Sequence, residues 1–445
     1  DIKIQNSNVT AKGFIDVRYV SHGTGIGSGL SSSGKTTIDI SGGTVKATGS
    51  GDGYKGSAGI GSGSNSTGDT SITLRDGVTV TATGGGNSSL GGGGGAGIGS
   101  GSDANGNTTI LIEGAAKVTA TGGSTAAGIG SGHYVGDIND PSVGSTTIAI
   151  RNSADGTVIP IIEAKGGGNE NRCCWSSGAG IGSGGNTLNK TTINIEGGTI
   201  TATGGVSSAS DPSYHGSRLS GAGIGSGSNV SGETEINIKG GTITKVTGGK
   251  YGGAGIGSGS SDTKDDSKKG AVTINITDGT IKKAEGKNGG AGIGSGYYGR
   301  SSTVNISGNA ELKDVRGGNL AAGIGSGYDS DKVDVVIDGG TINATGGDSA
   351  AGIGSGLNSR SSVTIKSGTV NAKGNQHSNN FGSSGIGGNY ADVTISGGTI
   401  TATGYDTGAG IGGSDNNNSS SITITGGTIT ATGSVDGTPA VQYTF

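Results

Sequence analysis

Methionine is absent from this chain, tryptophan occurs once, phenylalanine three times and proline four times in 445 residues. With aromatic side chains at 3%, large apolar groups cannot fill a conventional globular core, so something else must build the interior. The scarcity of proline excludes collagen. Isoleucine and valine recurring in ordered short runs argue against disorder. No stretch approaches the roughly 18 apolar residues of a membrane-spanning helix, and no charged start followed by an apolar run marks a signal peptide. The chain therefore reads as already processed or as an excised region of something longer, with no membrane insertion. Formal charge is -4, and lysine and arginine are scattered rather than grouped on a stripe, which makes nucleic acid and anionic membrane poor partners. The two cysteines, Cys173 and Cys174, are adjacent and cannot staple distant parts of the chain together.

What the chain has is glycine, 104 residues of it. The heptamer GAGIGSG, as at Gly221 to Gly227, recurs with few changes. Its apolar centre falls at Ile26, Ile60, Ile98, Ile129, Ile181, Ile224, Ile256, Ile293, Ile324, Ile353, Ile386 and Ile411. Successive centres lie between 25 (386 to 411) and 52 (129 to 181) residues apart, the mark of constant strands joined by loops of variable length. Two further segments repeat between heptamers: TTINIEGG, as at Thr191 to Gly198, and GTITATGG, as at Gly198 to Gly205. Each shows period-two alternation and β-branched residues between glycine and polar turns, and none shows helical periodicity. Three-strand units that bury nothing alone predict an all-β fold. They point to a single right-handed parallel β-solenoid of about a dozen coils over residues 1–445, each strand about 4.8 Å from its copy in the next coil. A propeller blade would need a fourth strand and an aromatic signature, and neither is visible.

Period two also predicts facing. If Ile224 points inward, Ala222 and Ser226 do too, and Gly223, Gly225 and Gly227 look outward. Stacked coils then carry ladders of alanine, isoleucine and serine inside, with serine hydroxyls donating to and accepting from neighbours. The serine ladder should stop where Gly388 and Gly413 replace it. In the second segment Ile193 and Ile195 go inward; in the third, Ile200 and Ala202 do. A bare glycine face would result. Either loops cover it, or it suits close docking of something planar, such as a second copy of the rod in self-association or an extended polymer.

Specificity on a solenoid belongs to loops that break the pattern. The long ones are 133–145, 166–178 and 205–221. The second holds Glu170, Arg172, Cys173, Cys174 and Trp175. The third holds Asp211, Tyr214, His215 and Arg218, and Tyr134 opens the first. The second and third occupy the same corner of consecutive coils and should lie side by side. Aromatic faces stack on pyranose rings and planar polar groups hydrogen-bond their hydroxyls, so this set suits a sugar site. The alternative is that Trp175 seals its loop against the rod, and the sequence leaves both open. A bond between Cys173 and Cys174 would make a strained, rigid apolar plate beside Trp175; in a reducing compartment they would be free thiols. The vicinal disulfide is the preferred reading.

The tyrosines Tyr297, Tyr298, Tyr328 and Tyr390 suggest an aromatic track along one edge, although coils without one interrupt it. No cofactor is expected. The acidic loops holding Asp262, Asp265 and Asp266, and Asp329 and Asp331, offer oxygen ligands of the type calcium takes, but without a glycine-spaced calcium motif they read as solvated charge. Glu163, Glu170 and Asp211, with Asp137 and Asp140 from the preceding loop, would permit a glycosidase pair, yet no spacing singles one out. Outward Thr-x-Thr runs resemble an ice-binding face, but charges such as Lys117 and Glu163 interrupt them, and threonine is what any exposed strand favours.

Repeats of the form TITITGGTITATG, together with AGIGSG or AGIGG, make the sequence resemble the Gly-rich extracellular β-helix proteins of clostridia and related gut or cellulolytic bacteria, often described as carbohydrate-binding domain proteins. The resemblance covers nearly the whole chain and rests on scaffold motifs. It implies a secreted or wall-attached protein that contacts plant or host polysaccharide, with calcium sometimes bound. None of that family's ligand residues matches a position here. A surface rich in Asn, Ser, Thr and Gly agrees with an extracellular location. The expected function is a carbohydrate-binding or adhesive solenoid, with a polysaccharide-degrading β-helix enzyme, a glycoside hydrolase or lyase, as the alternative.

Overall fold

The computed structural model describes all residues except 17–20, 52–54, 87–91, 135–143, 169–175, 209–217, 263–269, 376–381, 415–419, 436–437, 440–441 and 445. Among the described residues every regular element is a β-strand and none is a helix. The chain divides into two compact units, Asp1–Ile236 with Lys268–Gly270, and Asn237–Ser267 with Ala271–Phe445.

In the first unit the heptamers contribute the two-residue strands Ile26–Gly27, Ile60–Gly61, Ile98–Gly99, Ile129–Gly130, Ile181–Gly182 and Ile224–Gly225. Each pairs in parallel with its successor, isoleucine on isoleucine and glycine on glycine. The other two segments form longer parallel ladders. Thr146–Arg151 lies between Thr108–Glu113 and Thr191–Ile195, and Ile161–Lys165 between Lys117–Thr121 and Thr199–Thr203. The second unit repeats the scheme from Ile256–Gly257 to Ile411–Gly412. There Ser302–Arg316, Val333–Thr345 and Ser361–Lys373 run through both longer segments as single strands whose register shifts at the glycine turn and, in the first of them, again between Leu312 and Val315. Near the chain's end Gln442–Thr444 pairs antiparallel with Thr428–Thr432. This is the all-β architecture of periodic parallel strands that the three repeated segments predict for a right-handed β-helix.

The longer strands alternate as period two requires. Thr191–Ile195 buries its first, third and fifth residues, and Thr199–Thr203 its second and fourth. Ile148, Ile150, Ile181, Ile193, Ile195 and Ile200 are fully inaccessible, each burial contributing about 1.5–3 kcal/mol. The absence of bulky side chains is thus met by many small β-branched ones repeated along the stack. On the outward side of the second unit asparagines stack instead: Asn305 Nδ2 donates to Asn275 Oδ1 and Asn275 Nδ2 to Asn237 Oδ1, both at 2.9 Å.

The heptamer departs from expectation. Its isoleucine, alanine and serine do point inward, but Gly223, Gly225 and Gly227 are buried as well, because the segment is an arch and not an extended strand. The Ala222 N–H donates to the Ser226 carbonyl of the same heptamer at 2.9 Å, and Ala127 to Ser131 does so at 3.0 Å. The glycines are needed where main chains touch. A Cβ on Gly130, at φ +137°, would sit 1.8 Å from the Gly182 carbonyl oxygen of the next coil; one on Gly128 would sit 2.8 Å from the Lys165 backbone at the end of the third segment. The bare outward glycine face is therefore corrected: close backbone approach consumes that surface.

The serine ladder exists, but its bonds are not hydroxyl to hydroxyl. Each Oγ accepts from the backbone N–H of the glycine that follows the next coil's serine. Gly101 donates to Ser62 at 3.2 Å, Gly132 to Ser100 at 3.0 Å, Gly184 to Ser131 at 3.0 Å and Gly227 to Ser183 at 3.1 Å. In the second unit Gly296 donates to Ser258 at 2.9 Å, Gly327 to Ser295 at 2.9 Å and Gly356 to Ser326 at 2.8 Å. Where Gly388 interrupts the series, the Ser355 hydroxyl bonds instead with that of Ser361 at 2.8 Å. Every rung so served satisfies a buried N–H that the arch leaves unpaired. Ser131→Ala, at a fully buried rung, should lower stability by roughly 1–3 kcal/mol in urea denaturation. An unchanged midpoint would show that the rung carries no stabilisation.

Candidate functional site

Because the heptamer folds back, the loops before and after it meet at one corner, although the sequence places them at opposite ends of the segment. In the first unit the His133 N–H donates to the Gly94 carbonyl at 3.0 Å, Gly185 to Thr125 at 2.8 Å and Ser228 to Ser177 at 2.9 Å. Each bond joins a post-heptamer residue to the pre-heptamer loop of the preceding coil. The roots of the long loops lie at this corner. Gly178 donates to Gly167 at 3.0 Å across the base of 166–178, Gly221 to Gly205 at 3.1 Å across that of 205–221, and Gly205 to Gly178 at 2.8 Å between the two. Val206–Ser208 and Arg218–Ser220 pair antiparallel at the root of 205–221. Gly168 lies so close to Val206 that a Cβ would come within 2.1 Å of its carbonyl oxygen. Tyr134 joins this group: its N–H donates to Gly185 at 3.2 Å, and Gly185 abuts the Ser176 side chain.

Loops 166–178 and 205–221 thus have adjoining roots, as their place in consecutive coils implies. Glu170, Arg172, Cys173, Cys174, Trp175, Asp211, Tyr214 and His215 lie outside the described residues, as do Asp137 and Asp140. Arg218 begins the second strand of that pair. Glu163 stands exposed in the middle of Ile161–Lys165, between Thr119 and Thr201 of the flanking strands, on the outward sheet face and not in a loop. Tyr134 is 52% exposed, and its ring meets that of His133 edge to face at 5.0 Å. Desolvation holds the His133 imidazole down to about 4, so it is neutral at physiological pH, with Asn186 Nδ2 3.2 Å from its Nε2.

The equivalent corner of the second unit is aromatic. Tyr297 and Tyr298 stack with ring centroids 4.1 Å apart, and Tyr297 and Tyr328 of the next coil stack at 5.4 Å with 14° between planes. Burial and the neighbouring Tyr298 push the Tyr297 phenol upward. Tyr297 and Tyr328 fit because the facing loops are glycine: the Tyr297 Cβ lies where side chains on Gly252 or Gly289 would go. Tyr390 is 47% exposed, with the Arg360 guanidinium 5.9 Å from its ring centre.

The residue two places after the heptamer is left-handed in coil after coil. Asn65, Asp103, Asn186, Asn229, Asp329 and Asn358 have φ between +51° and +56°, and such side chains tolerate this conformation. Tyrosine occupies the same position at Tyr134 and Tyr298, with φ +55° and +47°, and Tyr390, one place nearer its heptamer, is left-handed too at φ +51°. A bulky residue there costs about 1–3 kcal/mol. The recurrent Asn or Asp after the heptamer was a readable signal for this corner, and sequence reasoning missed it.

Asp262, Asp329 and Asp331 are described, while Asp265 and Asp266 are not. Among the described residues no group of three or more His, Cys, Asp or Glu is placed to hold a metal ion, and no helix is long and apolar enough to cross a membrane.

The β-helix repeat family matches the chain over residues 38–64, 110–133, 193–228, 236–260, 274–297, 335–357, 363–390, 393–415 and 422–440. The matches recur with the coils and together cover more than half of the sequence. Neither a curated protein nor a solved structure matches it. Parallel rungs repeated through both units and a family match of this extent lead to one conclusion: the chain belongs to the β-helix repeat family.

Proposed function

We propose that this chain is a secreted or cell-surface solenoid that binds a polysaccharide or glycan, without cleaving it, at the corner where loops 133–145, 166–178 and 205–221 leave the first unit. Scaffolds of this kind are often used for carbohydrate binding or degradation. The observation that carries the reading is the contact between the loop roots, Gly205 on Gly178 at 2.8 Å and Tyr134 on Gly185 at 3.2 Å. The loops whose described roots adjoin are the ones that hold, in sequence, Trp175, Tyr214, Tyr134, Arg172, Arg218, His215, Glu170 and Asp211. Aromatic faces for pyranose rings and planar polar groups for their hydroxyls are what such a pocket requires. A disulfide between Cys173 and Cys174 would stiffen the loop beside Trp175.

A glycan array probed with the wild-type chain and with Trp175→Ala tests this. Binding by the wild type that falls at least tenfold in the variant is the expected result, and equal binding by both would remove Trp175 from the site. Oligosaccharide released from a polysaccharide panel, and abolished by Glu170→Gln or Asp211→Asn, would assign a glycoside hydrolase instead.

A further inference from the structure

The left-handed corner of the second unit spends backbone strain on tyrosine where its neighbouring rungs use asparagine and aspartate. Tyr298 and Tyr390 take φ +47° and +51°, while Asp329 and Asn358, in the two coils between them, take +51° and +56°. Packing does not account for the choice at Tyr390, which leaves 47% of its surface exposed. Strain kept at an exposed position such as Tyr390, when an unstrained residue serves elsewhere in the same fold, marks a contact made with something else, and the half-buried Tyr298 carries the same strain three coils away. The surroundings define its chemistry. Tyr298 extends the stack of Tyr297 and Tyr328, so one end of the edge is planar and aromatic with phenol hydroxyls. The other end holds Tyr390 beside the Arg360 guanidinium. In the two coils between them the left-handed residues are the half-buried Asp329 and the exposed Asn358.

We propose that this corner is a second binding edge for an uncharged polysaccharide chain lying across successive coils, from Tyr298 and Tyr328 past Asp329 and Asn358 to Tyr390. This rests on the polysaccharide reading of the protein but not on the loops of the first unit. Three coil steps span about 14 Å, room for a short run of hexose units. Ring edges and faces serve the apolar patches of pyranoses, while phenol, amide, carboxylate and guanidinium groups serve their hydroxyls. A polyanion would meet the Asp329 carboxylate and a polycation the Arg360 guanidinium. A neutral polyol is compatible with both.

The test is affinity electrophoresis of the whole chain through gels containing soluble mannan, mixed-linkage β-glucan or arabinoxylan, with thermal unfolding in parallel. The double variant Tyr298→Asn with Tyr390→Asn adopts the left-handed conformation without strain. It should keep or raise the melting temperature while binding roughly tenfold more weakly. Trp175→Ala should retain measurable binding through this edge. Unchanged affinity in the double variant would overturn the proposal. So would a melting temperature well below wild type, which would make the tyrosines packing residues. Complete loss of binding in Trp175→Ala would also overturn it, since the edge then binds nothing alone. Binding lost in the double variant but intact in Trp175→Ala would sink only the loop site, and no retardation of the wild type by any of the three polymers would sink both.

Discussion

Gly130→Ala is expected to leave little or no soluble folded protein, with a loss of about 4 kcal/mol or more. Two causes act together. At φ +137° an alanine lies in a backbone region that L-residues with a side chain rarely enter, and its Cβ would sit 1.8 Å from the carbonyl oxygen of Gly182. The obstacle is main chain and cannot rotate aside. Relief would require separating two coils at the Ile129–Gly130 rung, which breaks the parallel pairing with Ile181–Gly182. Gly34→Ala is the control: nothing lies within 4 Å of its added methyl and its φ is ordinary, so stability should change by less than about 1 kcal/mol. Soluble yield, far-ultraviolet circular dichroism and thermal unfolding of the two variants decide the matter. Equal behaviour would contradict the close approach of the arches.

Ile181→Ala should cost about 2–5 kcal/mol. The side chain is fully buried and its strand pairs with Ile129–Gly130 on one side and Ile224–Gly225 on the other. In a stack whose stability is approximately a sum over neighbouring coils, the cavity weakens two interfaces at once. The urea transition should move to lower concentration and broaden or split as cooperativity across that coil weakens. Ile26→Ala is expected to cost less, because Ile26 is 7% exposed and its strand pairs with that of Ile60 alone among the described residues. Equal losses would show that the stack does not behave as a chain of neighbour interactions.

The longer strands were fully legible. Thr191–Ile195 and Thr199–Thr203 alternate in the sequence as they alternate in burial, because β-branched residues at every second position have one stable placement. The repeated isoleucines likewise gave their inward ladder. The arch was not legible, because glycine at alternate positions is compatible both with an extended strand and with a reversal through positive φ, and no side chain discriminates between them. From that one ambiguity followed both the mistaken glycine face and the failure to see that the loops on either side of the heptamer share a corner. The adjoining roots of 166–178 and 205–221 could be read from coil order alone. Tyr134 could be named from its loop, but not its approach to 166–178, since that depends on the arch setting Gly185 against Ser176. The tyrosine edge was visible as isolated letters, but its geometry depends on a left-handed position whose mark is the asparagine and aspartate of other coils.

The isoleucine-glycine rung keeps one register whether 25 residues (386 to 411) or 52 (129 to 181) separate it from the next. Internal coils are consequently near-interchangeable modules. Duplication or excision of a whole module by unequal recombination would join surfaces that already match, so descendants of this gene can change length in steps of one coil while loops diversify independently.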